Sequence, residues 1–133
     1  MAYFGDADYR PIDDEPYMNA RQLRYFRQKL LDMQARIHDK IRETLHEIRE
    51  RETRETDIID RSDLETLWEM KLRACRHYRR TIEQLTAALA RIDDGTYGYC
   101  RMTGDEIGLR RLEIVPHASL SLDAQEIAER HMA

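Results

Sequence analysis

Two carboxylates three residues apart, Asp57 and Asp60, lie in the stretch Glu55-Thr56-Asp57-Ile58-Ile59-Asp60-Arg61-Ser62. Paired acids can serve as general acid and base where an enclosed site holds their pKa values near the working pH. A turn between helices offers no such pocket, so the pair reads as a contact element and the chain as a non-enzyme. Asp60 also has a structural task, because a carboxylate just before a helix start is favoured by the macrodipole. Asp57 lies farther out and has none. Ile58 and Ile59 between them are apolar where a solvated loop would be polar: one can staple onto the helices and the other can meet a partner.

A second set of reactive residues lies downstream. Residues 97–108 look like a zinc-knuckle turn with one thiolate, Cys100, and Thr103 where a second would sit. Ser121 and Ala124 are spaced like another ligand pair, but neither binds zinc. A structural zinc needs four nitrogen or sulfur ligands, and Cys100 with His117 supplies half of them. Zinc is therefore not expected, and Cys100 is a vestigial position. Cys75, in mid-helix, reads as a small packed residue. Arg73 and His77 lie one turn apart with Arg76, Arg79 and Arg80 nearby. They form a basic face that either pairs with acids of the neighbouring helix or meets a partner.

Two long helices must position these residues. Asn19 is the expected N-cap of the first. Its apolar residues Leu23, Phe26, Leu30, Met33, Ile37, Ile41, Leu45 and Ile48 recur every three or four positions, which marks one helical face. No Gly or Pro interrupts residues 18–54. Residues 49–56 carry no apolar side chain, so the helix should fray or turn there. Ser62 and Glu65 fit a capping box that opens a second helix. Its face is Leu64, Leu67, Ala74, Tyr78, Ile82, Leu85, Leu89 and Ile92, and Gly95 should close it. Helices of matched length joined by a short turn fold back antiparallel. The expected architecture is thus mainly α: an acidic N-terminal segment (1–17), a long antiparallel helical hairpin packed as a coiled coil (18–93, tip near 55–62), and a small knob with a short C-terminal helix (94–133). Four of the five glycines fall in that knob. The alternation over 109–115 predicts extended strand or turn, and Ser121 with Asp123 and Glu126 predicts the last helix. Tyr97, Tyr99, Ile107, Leu109, Leu112 and Leu120 are the expected knob core.

Composition sets the limits. Of 133 residues, 36% are charged and mean hydropathy is −0.78, which suits a narrow seam between two wet helices. A net charge of −4 argues against a general DNA- or RNA-binding surface and hence against direct sequence-specific DNA binding. No apolar run reaches membrane-spanning length, and the acidic first seventeen residues lack signal-peptide order. Two cysteines make no disulfide framework. A cytoplasmic location is expected.

The chain resembles the DksA/TraR family of bacterial RNA polymerase regulators, in its DksA-like branch. The resemblance rests on Tyr17-Met18-Asn19, on Asp57-Ile58-Ile59-Asp60-Arg61, on Asp94-Gly95-Thr96-Tyr97-Gly98-Tyr99-Cys100, and on Glu106-Ile107-Gly108-Leu109-Arg110-Arg111-Leu112-Glu113 with Pro116. Of the family's four zinc cysteines only Cys100 remains; Thr103, Ser121 and Ala124 hold the other positions. The resemblance implies a monomeric regulator that enters the RNA polymerase secondary channel. The tip residues Asp57, Asp60, Arg61 and Ser62 would act near the active site to alter promoter-complex stability; Ser62 stands where the family usually has alanine. It also implies ppGpp as a co-regulator, with Arg73, His77, Arg80 and Arg111 as candidates for the polymerase and ppGpp interface. His77, Gln84, Val115 and Gln125 stand where relatives have Arg or Lys, which weakens phosphate binding and leaves Arg80 and Arg111 to compensate. A reading from another class is a structural adaptor hairpin that dimerises through its helices.

Overall fold

The computed structural model describes residues 8–53 and 61–132. Four helices follow in order: α1 (Ala20–Thr53), α2 (Arg61–Asp94), α3 (Leu109–Ile114) and α4 (Leu122–Met132). The described residues form two compact units, one holding those up to Asp32 and from Gln84 onward, the other Met33–Glu83. Both long helices run through both units.

Asn19 begins α1 as expected: its Oδ1 accepts the Gln22 amide at 3.0 Å, satisfying a donor with no helical partner. The helix continues five residues past Ile48, to Thr53. His46 and Glu50 meet at 3.2 Å one turn apart, a contact that supports an otherwise polar end. Helix α2 already includes Arg61. Ser62 therefore lies inside the first turn and not at the cap, a correction of one or two residues. Asp60, itself a capping type, stands before Arg61 and lies outside the described residues.

In the first unit the start of α1 packs antiparallel against the end of α2. Phe26, Leu30, Leu85 and Ala88 are fully buried and Ile92 nearly so; burial of each large side chain contributes about 1.5–3 kcal/mol. Arg27 and Asp93 pair across the two helices. The N-terminal segment belongs to the same packing. Tyr9 is buried and Arg21 stacks over its ring at 4.0 Å. Gln22, fully buried, accepts the Met18 amide at 2.7 Å and donates to the Ile12 carbonyl at 3.4 Å. In the second unit the expected seam residues are half-buried, Cys75 is buried, and Glu47 pairs with Lys71.

Among its described residues the knob contains no β-strand. Tyr99 and Glu106 form an isolated antiparallel bridge. Leu109–Ile114, expected as strand or turn, is helix α3. Leu109 and Leu112 are the buried pair, and their spacing of three is helical; the alternation over 109–115 is not what the burial follows. Tyr97, Ile107, Leu109 and Leu112 form the core, but Tyr99 is 37% exposed and Leu120 half-buried. Ser121 caps α4, its Oγ accepting the Ala124 amide at 3.2 Å.

Candidate functional site

The tip residues Asp57 and Asp60 lie outside the described residues, as do the side chains of Arg61 and Ser62. The basic face is described. Arg73, His77 and Arg80 are exposed on α2 in the second unit, and spacings of four and seven set them on one stripe. Arg111 is in the first unit, on α3. The interface candidates therefore divide into a helical stripe and a knob residue.

Arg111 belongs to a basic pocket of about 380 Å³ lined also by Gln84, Arg91, Arg101, Val115, His117, Gln125 and Glu129. Three positions singled out for lacking the family's cations, Gln84, Val115 and Gln125, thus converge on one cavity. Two guanidiniums that sequence reasoning missed, Arg91 and Arg101, join Arg111 there. Helix α2 supplies Gln84 and Arg91 seven residues apart, on one face. The Arg101 amide donates to the Ser119 carbonyl at 2.9 Å, which ties the Cys100 turn to the segment before α4. Arg111 Nε donates to the Leu120 carbonyl at 3.0 Å, which fixes the guanidinium.

Electrostatic strain runs through the cavity. Burial, then the positive charge of Arg101, lowers the Arg91 pKa. Burial, then Arg91, lowers that of His117, so its imidazole favours the neutral form. Arg91 Nη2 and His117 Nδ1 are buried without a hydrogen-bond partner. Such a cluster can hold an oxyanion, whose charge offsets the repulsion and whose oxygens accept from the unpartnered Arg91 guanidinium nitrogen.

Around Cys100 the chain makes a tight turn. The Cys100 amide donates to the Asp105 carbonyl at 2.7 Å, and the Gly104 amide to the Cys100 carbonyl at 2.9 Å. Burial raises the Cys100 thiol pKa, but hydrogen bonds from the Thr103 hydroxyl and from the Ser121, Thr103 and Met102 amides outweigh it and bring it down to about 6. His117 lines the basic pocket. Among the described residues no three His, Cys, Asp or Glu side chains are grouped to hold a metal.

The knob is clasped from outside by Tyr17. Its hydroxyl donates to the Gly98 carbonyl at 2.7 Å and accepts the Gly108 amide at 3.0 Å. Its ring meets Tyr99 edge-on at 5.5 Å. Gly98 has φ +91°, and a Cβ there would lie 2.8 Å from the Met18 side chain; only glycine admits both the conformation and the approach. On the other side Glu113 accepts from Lys29 at 2.7 Å and from the Tyr25 hydroxyl at 2.9 Å, joining α3 to α1.

Two family models match, one after the other. "DnaK suppressor protein DksA, N-terminal domain" covers residues 22–92, and "Prokaryotic dksA/traR C4-type zinc finger" covers residues 95–130. The chain belongs to the DksA/TraR family. It is 45% identical over 93% of its length to the RNA polymerase-binding transcription factor DksA of Caulobacter vibrioides, covering 87% of that protein. It is 32% identical over 97% of its length to DksA of Escherichia coli K12, covering 85% of that protein. Transcription factor DksA2 from Pseudomonas aeruginosa matches in structure with a TM-score of 0.79 at 31% identity, over 97% of this chain and 96% of that one. The fold is thus mainly helical and DksA-like.

The second family model implies a zinc site. A C4 site needs four thiolates. This knob has one, Cys100, because Thr103, Ser121 and Ala124 occupy the remaining positions of the spacing and the other cysteine, Cys75, lies on α2 in the second unit. The donor set does not fit the metal. No helix among the described residues is long and apolar enough to cross a membrane.

Proposed function

We propose that this chain is a transcription regulator that binds RNA polymerase directly, as a non-enzymatic monomer with no cofactor of its own. The observation that carries the reading is the match to RNA polymerase-binding DksA at 45% identity across 93% of the chain. The two long helices fit the role of presenting a polar tip, since residues 49–57 and 60–63 include no apolar side chain. On this reading the tip enters the secondary channel. There Asp57 and Asp60, with Arg61 and Ser62 beside them, act near the polymerase active centre and change how long promoter complexes last. Two carboxylates can perturb a site built around phosphates and cations without a covalent step. Arg73, His77 and Arg80 form the flank that meets the polymerase.

Response to ppGpp is the second part of the proposal. Arg111 with Arg91 and Arg101 supplies guanidiniums in a cavity where Gln84, Val115 and Gln125 supply no charge. Guanidinium–phosphate pairs are strong and geometrically specific. The experiment is transcription in vitro from a ribosomal RNA promoter with wild type, Asp57→Asn, Asp60→Asn and Arg111→Ala, each with and without ppGpp. The proposal expects inhibition by wild type, its loss in the Asp60 variant with polymerase binding retained, and a ppGpp effect that disappears in Arg111→Ala. Equal inhibition by wild type and both tip variants would remove the mechanism.

A further inference from the structure

We infer that the knob of this chain closes without a metal, through packing and through hydrogen bonds that tie the Cys100 turn and α3 directly to the segment before α4. In a C4 site the metal ties two turns that otherwise share few contacts. Here the turn at residues 100–103 and helix α3 are already tied to Ser119 and Leu120, just before the second turn. The Arg101 amide reaches the Ser119 carbonyl at 2.9 Å, and Arg111 Nε on α3 reaches the Leu120 carbonyl at 3.0 Å.

Each of the four ligand positions also has another task. Cys100, 3% exposed, is packed inside the knob, and its amide and carbonyl are held in the turn by Asp105 and Gly104. The Thr103 hydroxyl itself accepts the Asp105 amide at 3.2 Å. The Ser121 hydroxyl caps α4 through the Ala124 amide. Ala124 is 1% exposed, so a methyl group fills packed space at the fourth position. A zinc ion would find one thiolate, two hydroxyls in use and a hydrocarbon. Behind this junction, Tyr97 donates to the Pro116 carbonyl at 2.7 Å and Leu112 is fully buried. The Tyr17 clasp closes the remaining side. Integrity of the knob therefore does not depend on the supply of zinc.

The test uses the full chain purified without chelators. Zinc is quantified per chain, and thermal melts are recorded by circular dichroism with and without a strong zinc chelator. The expected result is far less than one zinc per chain and superimposable melts. About one tightly held zinc per chain, with a melting temperature that falls on its removal, would overturn the inference. A second variant, Thr103→Cys/Ser121→Cys/Ala124→Cys, asks whether the four positions converge. Its expected outcome is binding of one cobalt ion, with the intense absorption of tetrahedral thiolate ligation and a melt that becomes chelator-sensitive. A folded triple variant that takes up no cobalt would show that the turns do not meet as described. Should the triple variant fail to fold, the zinc content and melts of the wild type decide alone.

Discussion

Tyr17→Phe isolates the clasp on the knob. The substitution keeps the ring and its edge contact with Tyr99 and removes one oxygen. That oxygen donates to Gly98 and accepts from Gly108. The Gly98 carbonyl keeps a partner, because the Ile107 amide also donates to it at 2.8 Å. The Gly108 amide loses its acceptor and, half-buried, is only partly compensated by water. Two hydrogen bonds at about 0.5–1.5 kcal/mol each give a loss of about 2 kcal/mol. If the amide exchanges by local opening of the clasp, that loss corresponds to roughly 30-fold faster exchange. Amide hydrogen exchange read at Gly108 by NMR measures it, with Leu85 on α2 as an internal reference that should not change. Acceleration of less than about threefold at Gly108, under about 0.7 kcal/mol, would refute the reasoning. The clasp would then be a contact that closes without stabilising.

Other outcomes follow from the same packing. Leu112→Ala opens a cavity at a fully buried position and should cost about 2–5 kcal/mol in denaturant titrations. Burial, then the hydrogen bond and charge of Glu113, raises the Tyr25 pKa, so Glu113→Gln should lower it in an NMR titration. The same change removes the ion pair with Lys29, whose side chain is 29% exposed, at a cost of about 0.5–1 kcal/mol. The Cys100 thiol, brought down to about 6 from its ordinary 9.0, sits lower in the folded chain than in the unfolded one. The unfolded chain binds more protons between those values, so stability should rise from pH 6 to 9 and fall as pH drops through 6. Melts of Cys75→Ser against Cys75→Ser/Cys100→Ala check this, the double variant lacking that rise. Thiolate absorbance of the single variant should titrate near 6.

Much of this architecture is legible because helices write a period into the sequence. Leu23, Phe26 and Leu30 on α1, and Ile82, Leu85, Leu89 and Ile92 on α2, repeat at the spacing a buried face requires. Asn19 and Ser121 are short polar residues placed before apolar runs, and both cap helices. Short elements carry too few periods to decide: Leu109 and Leu112 are compatible with a strand until their burial shows one helical face. Ser62 and Asp60 are both capping types, and local pattern alone does not choose between them. Gln22 is the clearest gap. A buried amide inside a helical seam follows from the Ile12 carbonyl and Met18 amide that it satisfies, and that loop is invisible to periodicity. The basic pocket is illegible for the same reason. Arg91, Arg101 and Arg111 come from three elements, and only tertiary packing brings their charges together.

Attachment of a photo-crosslinking side chain at position 58, between Asp57 and Asp60, addresses polymerase engagement most directly. The labelled chain is irradiated with RNA polymerase holoenzyme and the crosslinked peptides are identified by mass spectrometry. Crosslinks to elements lining the secondary channel near the catalytic centre, competed away by unlabelled chain, are the predicted result. Crosslinks confined to the outer surface of the polymerase, or only to a second copy of this chain, would contradict it.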